Sequence, residues 1–356
     1  MESQSVKSEL ETHWVGLDVS KGTFDAAWLS ASVAEPSKRL AGLPAKAFAR
    51  TPAGVEEFAA WLEERLAAEA GTGEAPRVRC VMEATGRYST ELSVIILDKH
   101  PALAPAIAPP RQTASFIESL GLRNMTDKLA ARGLAVYGRE RTPAAYVPPS
   151  EAAQALREVC RYRDSLVRQQ TMVKNQMGEA VSSRFVRQNR KKRLDLLKKD
   201  IARAEKEMQR MVKADAEVAK TINLLCTIYG VGFLTAVVVH TEMGDLRRFE
   251  KARSLSAFAG LNPSERRSGT SVRGRTRMSK QGNAHIRHAL YMAAITVIRA
   301  PSELTRTYER LIAEGKKHKA ALGAVMRKLL VLMRAILISG KPYNPAGKNR
   351  EQILNQ

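Results

Sequence analysis

Hydrophobic and polar residues alternate along residues 13–19, with Trp14, Gly16 and Asp18 on one face and Val15, Leu17 and Val19 on the other. That period of two predicts a strand, since successive strand side chains point to opposite faces. Lys21-Gly22 supplies a tight turn into a second strand over 23–30, making a hairpin. The period then lengthens. Thr51-Pro52 reads as an N-cap with proline at the first helical position, and Val55, Phe58, Leu62 and Leu66 recur at helical spacing. A strand over 77–82 leads straight into Glu83, a helix follows over 88–99, and a short apolar strand is expected over 102–108. Two further helices are expected, over 112–120 and from Thr126 onward. A hairpin followed by alternating strands and helices indicates an α/β domain with a mixed sheet, spanning 1–150.

A different pattern fills 151–216. This segment is highly charged and lacks proline, and Leu194, Leu197, Ile201, Ala204, Met208 and Met211 repeat at three-four spacing. Such a stripe predicts an interhelical seam: a helical hairpin or coiled coil, broken near 182–189, that supports oligomerisation. Its basic cluster, Arg190 to Arg193, reads equally as a solvated face or a backbone contact. The third segment, 217–356, is mainly helical. Within it, residues 228–236 (IYGVGFLTA) resemble the glycine-turned corner of a helix-hairpin-helix, where backbone N–H groups approach a phosphate. A plain turn between two packed helices fits the same glycines.

Charge changes the picture from fold to function. The 356-residue chain carries a formal net charge of +22, and protein this basic ordinarily meets a polyanion, most often nucleic acid. With 44% hydrophobic residues it has enough apolar material for two cores. No apolar run has the length of a membrane span, and the polar N-terminus shows no signal peptide. Cys80, Cys160 and Cys226 are far apart and read as reduced thiols of a cytoplasmic protein. His285 and His288 share a helical face, but their basic surroundings and the lack of a cysteine pair favour phosphate contact or plain surface over zinc. Arg266, Arg267, Arg273, Arg275, Arg277, Lys280 and Arg287 have no acidic residue among them, so they repel one another unless a polyanion neutralises them. Aromatic residues make up only 5%, which suits recognition of a duplex by backbone and shape better than stacking on single strands.

Chemistry is expected where carboxylates open or close elements. Asp18 lies mid-strand among core-like neighbours, Glu83 ends a strand, and Asp127 opens a helix. A carboxylate such as Asp18 is placed either at an exposed sheet edge or on a cation. Three acids gathered by one sheet would give Mg²⁺ or Mn²⁺ the hard oxygen ligands it needs, with waters and phosphate completing the shell. Taken singly, Asp127 also fits a first-turn acid favoured by the helix dipole, and Glu83 a loop residue.

The segments GLDVSKGTFD, MEATGRY, LRNMTDKLAARGLA, FAGLNP and SGTSVRGRTRMSKQGNAHIRHALYMAA, in that order, resemble the DEDD-type transposases of the insertion sequence 110 family, relatives of Piv-type DNA invertases. The resemblance covers nearly the whole chain. It implies a RuvC-like N-terminal domain of RNase H fold, a coiled coil, and a helical transposase domain with a serine nucleophile. It further implies target and donor DNA as substrates, a bridge RNA encoded in the mobile element as guide, a tetrameric assembly, and a cytoplasmic, nucleoid-associated location in bacteria. The metal carboxylates would be Asp18, Glu83 and Asp127, and the nucleophile Ser268. The fourth family acid falls one helical turn after Asp127, where both could face one metal; this chain has Ala130 there. Two origins stand open, a natural variant with a weakened site and a deliberate replacement, the second favoured by the otherwise intact motif.

Ser268 has chemical support of its own. Gly269 permits close backbone approach, and Arg266, Arg267 and Arg273 stand ready to stabilise charge developing on phosphate oxygens. No histidine is placed by sequence to take its proton; the carboxylate site could, if both domains, from one subunit or two, meet at one phosphate. Thr270, Ser271 and Ser279 are rivals, and a plain phosphate-contact role is open to each serine. Three functions compete. The first is recombination through a covalent phosphoserine, and the second a junction-resolving nuclease with water as nucleophile. The third is a non-catalytic nucleic-acid binder.

Overall fold

The computed structural model describes residues 12–69, 77–121, 126–264, 267–268, 272–273 and 277–344, with the backbone alone at 267, 268, 272, 273 and 277. The chain divides into two compact units between Pro148 and Pro149.

The first unit is built on a five-stranded mixed sheet. Strand β1 (Thr12–Val19) turns into β2 (Thr23–Leu29), followed by β3 (Ala45–Ala49), helix α1 (Pro52–Ala68), β4 (Arg77–Glu83), α2 (Arg87–Lys99), β5 (Ala106–Ala108), α3 (Pro110–Ser119) and α4 (Asp127–Arg141). The sheet order is β3-β2-β1-β4-β5. The first three strands are antiparallel neighbours, whereas β4 runs parallel to β1 and β5 parallel to β4. Parallel neighbours require crossovers, and α1 and α2 supply them. Thr51 caps α1 by accepting from the Gly54 N–H at 3.2 Å. One sheet face carries Val15, Leu17 and Val19 into a core with Phe58, Leu62, Leu92 and Ile96. The opposite face carries Trp14 and Val81 into a second core with Phe116, Ile117 and Leu134. Helices therefore cover both faces of the sheet.

Two sequence expectations need correction here. β3 was not anticipated: in AKAFA only Phe48 is buried, so no alternation marks it, and its pairing with Phe24 of β2 fixes it. The strand expected over 102–108 is shorter. Residues Pro101–Leu103 form a 3-10 turn and only Ala106–Ala108 pairs with β4, because Pro101 and Pro105 have no N–H for a ladder.

The second unit opens with α5 (Glu151–Met177) and α6 (Arg184–Ala214), then α7 (Ala216–Cys226), α8 (Phe233–Met243), α9 (Ala252–Phe258), four two-residue strands, α10 (Ala284–Val297), α11 (Glu303–Ala313) and α12 (His318–Ser339). α5 and α6 form an antiparallel hairpin: Arg163 pairs with Glu205 near one end, and Arg190 donates to the Gln176 carbonyl near the other. Their break lies at 178–183, not 182–189; Ser183 caps α6 and Asn189 is already inside it. Along the expected seam Leu197, Ala204 and Met208 are buried, and Leu194, Ile201 and Met211 half-buried. The seam changes partner along its length. Leu194, Leu197 and Ile201 pack on Leu166 and Val173 of α5, whereas Met208 and Val212 enter the large core built with α7, α8, α10 and α12. Among the described residues no helix is long and apolar enough to cross a membrane.

Candidate functional site

The register of the first unit brings distant acids together. Asp18 of β1 stands directly opposite Asp25 of β2. Like charges in facing positions destabilise an antiparallel pair, so the arrangement has a cost that local packing does not remove. Helix α4 adds a third acid. A side chain on Gly138 would strike Trp14, and one on Gly16 would lie 1.9 Å from the Ala131 carbonyl oxygen. Hence α4 runs along β1 in close contact: Gly138 over Trp14, Ala131 and Ala135 over Gly16. Going two residues on along the strand and about one turn back along the helix brings Asp127, its first residue, to Asp18. Thr126 fixes that start by accepting from the Leu129 N–H at 3.3 Å. Glu83, the last residue of neighbouring β4, accepts a 2.6 Å hydrogen bond from the Thr113 hydroxyl of α3.

The electrostatics follow from this gathering. The Asp18 carboxyl is pushed up to about 6, first by burial and then by the negative charges of Asp127, Asp25 and Glu83, with a hydrogen bond from the Val19 backbone opposing. Burial and Asp127 raise Asp25 as well, and Lys128 pulls it back down. Arg50 braces the periphery. It donates through Nε and Nη2 to the Lys21 carbonyl in the hairpin turn, ion-pairs with Glu91, and stacks on Tyr88 at 4.7 Å, tying the loop after Asp18 to the helix after Glu83.

Sequence reasoning thus named Asp18, Glu83 and Asp127, which fold into one neighbourhood, and missed Asp25. The signal was present: a two-residue turn centred on Lys21-Gly22 places residues 18 and 25 face to face. Ala130 is half-buried, one turn along α4 from Asp127. Among the described residues, no three acid, histidine or cysteine side chains already converge closely enough to hold a metal ion. The donor chemistry nevertheless fits a hard divalent cation, since these are carboxylates whose mutual repulsion a cation would relieve, and Mg²⁺ keeps several waters of its own.

In the second unit, two short antiparallel pairs are nested. β6 (Pro263–Ser264) pairs with β9 (Arg277–Met278), and within them β7 (Arg267–Ser268) pairs with β8 (Val272–Arg273). Ser268 lies in this excursion opposite Val272. The side chains of Arg267, Ser268, Arg273 and Arg277 lie outside the described residues, as do Arg266, Thr270, Ser271 and Arg275. Lys280 is exposed. Arg287 has partners of its own: its Nη1 donates to the carbonyls of Gly282 at 2.8 Å and Ala259 at 3.3 Å. The GVG corner has a packing explanation, because Gly230 takes φ +83° and a side chain there would strike Val297 of α10. His285 sits 3.2 Å from an Asp164 oxygen and His288 is exposed.

An α/β unit with facing acids, followed in the same chain by a helical unit with a basic excursion, defines a class of nucleic-acid-processing enzyme. The comparisons narrow it. A DEDD transposase model of the IS110 type matches residues 15–186, and the Transposase IS116/IS110/IS902 family model matches 222–309. A pilin gene-inverting protein of Moraxella bovis is 26% identical over 93% of this chain and 97% of its own length. The Insertion element IS110 uncharacterized 43.6 kDa protein of Streptomyces coelicolor is 31% identical over 39% of this chain and 35% of its own. The transposase for insertion sequence element IS1111A of Coxiella burnetii is 30% identical over 42% and 41%. The chain belongs to the IS110 family of transposases and related recombinases. Its sheet is the framework of the RNase H-like DEDD domain of that family, and its substrate class is DNA.

Proposed function

We propose that the protein is a site-specific DNA recombinase of a bacterial insertion sequence. It would pair with target and donor duplexes through a bridge RNA, act as a tetramer in the cytoplasm on nucleoid DNA, and use the α5–α6 hairpin as its coiled-coil contact between subunits. The observation that supports the reading is that Asp25 faces Asp18 in the hairpin and that Asp127 and Glu83 lie near enough for their charges to act on it, in a chain of this family. Asp18, Glu83 and Asp127 would hold the divalent ion, with Asp25 facing them across the hairpin. When bound, Mg²⁺ or Mn²⁺ supplies positive charge to the phosphate oxygens. Thr113, by its hydrogen bond, would hold the Glu83 carboxylate in place for the ion. Arg50 holds the two acid-bearing loops together.

Ser268 would attack the phosphodiester. As its oxygen bonds to phosphorus the hydroxyl gives up its proton, the bond from phosphorus to the 3′ oxygen of the deoxyribose breaks, and that oxygen takes up a proton in exchange. The phosphoserine conserves bond energy for rejoining to the new partner. Arg266, Arg267, Arg273, Arg275, Arg277 and Lys280 would neutralise the backbone, and Arg287 would support them from within the fold.

The test is to trap the intermediate. Purified protein with its co-purifying RNA is incubated with radiolabelled duplex DNA bearing a nick beside the scissile phosphate, with Mg²⁺, and resolved on a denaturing gel. A protein–DNA adduct absent from Ser268→Ala, and lost on ribonuclease treatment before DNA is added, supports the reading. Cleavage without adduct makes water the nucleophile and the protein a nuclease. Binding without cleavage, even in Ala130→Asp, makes it a non-catalytic binder.

A further inference from the structure

The second unit contains a buried charge that the proposed chemistry does not use. Glu242 of α8 has a side chain only 2% exposed. It accepts from Arg161 Nε and Nη2 of α5, at 2.7 and 2.9 Å, and from Asn283 Nδ2 at 2.6 Å. Burial pushes its carboxyl up, but hydrogen bonds from Arg161 and Asn283, together with the charges of Arg161 and His285, hold it below the usual range. A buried carboxylate so fully paired is a rigid fixture, because breaking any one partner strands charge inside the protein.

Asn283 connects that fixture to the basic excursion. Its Oδ1 accepts from the N–H groups of His285 and Ile286, capping α10, and its own N–H donates to the Phe258 carbonyl at the end of α9. The outgoing and returning feet of the excursion meet at this point. Gly282 presses on Gly260, where a side chain would approach the Gly260 nitrogen to 2.4 Å. Ser279 N–H donates to the Asn262 carbonyl, and Arg287 bridges the carbonyls of Ala259 and Gly282. Both feet are therefore tied to each other, and the Asn283 side-chain amide ties the returning foot to the buried Glu242 as well.

We propose that Glu242, acting through Asn283, is a positioning residue that anchors the feet of the 263–278 excursion, and that duplex binding by the excursion depends on this anchor. The inference rests on the nucleic-acid reading of that excursion given above. The interaction has a direction, amide to carboxylate, and this makes it testable by exchange. Asn283→Asp keeps the cap oxygen but sets two carboxylates together. In Glu242→Gln/Asn283→Asp the donor and acceptor trade places and that bond re-forms. The half-exposed Arg161 keeps its Nε bond to the remaining side-chain oxygen at position 242, while its Nη2, which shared the exchanged oxygen, turns to the new carboxylate at position 283 or to water.

The experiment uses the full chain and two readouts. The first is the initial rate of tryptic cleavage after Arg267, Arg273 and Arg277 under native conditions, which follows the population of locally opened forms. The second is affinity for a generic 30-base-pair duplex DNA. Asn283→Asp is expected to raise the cleavage rate about tenfold and weaken duplex binding about tenfold, and the double variant to restore both to within about threefold of the parent. Should Asn283→Asp fail to fold, the double variant alone decides, since a re-formed bond predicts a folded chain with parental cleavage. A double variant cut as fast as the single one, or a single variant with parental rates, overturns the anchor. Faster cleavage with parental duplex affinity overturns its role in DNA contact. A parent that binds no duplex at all sinks the nucleic-acid reading, and the trypsin arm still judges the anchor.

Discussion

Asp18→Asn should stabilise the metal-free protein, although it removes a residue placed at the centre of the site. The folded chain holds the Asp18 proton up to about 6, against an ordinary value of 3.8. Between about pH 4 and pH 6 the folded state therefore binds more protons than the unfolded one, so stability falls as pH rises through that window and stays low above it. A shift of about two units at 1.36 kcal/mol each bounds the penalty at about 3 kcal/mol, and solvent reaching this half-buried carboxylate reduces it to about 1–3 kcal/mol. Asparagine keeps the shape and can still accept from the Val19 N–H, without the charge. In EDTA at pH 7.5 its melting temperature should exceed the parent's by about 2–12 °C, given about 2–4 °C per kcal/mol for a unit of this size. The difference should vanish below about pH 4. It should narrow when Mg²⁺ is added, because the parent gains a ligand that the variant binds less well. Differential scanning calorimetry from pH 4 to 8, with and without Mg²⁺, gives all three. A variant less stable than the parent in EDTA at pH 7.5, or a difference independent of pH, would refute the electrostatic argument.

Ala130→Asp places an acid one turn from Asp127, so Mg²⁺-dependent DNA cleavage should rise; equal rates in a plasmid-nicking assay would contradict this. Thr113→Val removes the hydroxyl that aims Glu83, and is expected to lower Mn²⁺ affinity about tenfold by calorimetric titration with little change in melting temperature. Gly16→Ala forces a methyl against the Ala131 carbonyl and should cost at least about 3 kcal/mol of stability, measured by urea unfolding, with parental stability arguing against the close helix–strand contact.

Much of this architecture was legible because two periods dominate the sequence. The alternation over 13–19 assigned Asp18 to the same face as Trp14 and Gly16, and that is the face α4 covers. Thr51-Pro52, and Asp127 as the opening of a helix, gave helix starts in agreement with the structure. β3 was illegible because an edge strand of small residues with one buried side chain carries no pattern of its own; Phe24 decides it from across the sheet. Asp25 was overlooked for a related reason. Its importance lies in register, and register became visible only once the turn had been converted into facing pairs. The Glu242–Asn283 bond was beyond reach, since residues 41 positions apart on separate helices leave no local trace. Arg287, assigned to phosphate contact, makes internal bonds instead and shows the limit of reading charge alone: a cation can brace its own backbone as readily as a polyanion.

Crystals grown or soaked with millimolar Mn²⁺, examined by anomalous scattering, test the central proposition most directly. A peak about 2.0–2.2 Å from carboxylate oxygens of Asp18 and Asp127, lost in Asp18→Asn crystals, is the expected result. Fully occupied manganese elsewhere, with none between these two side chains, would contradict it.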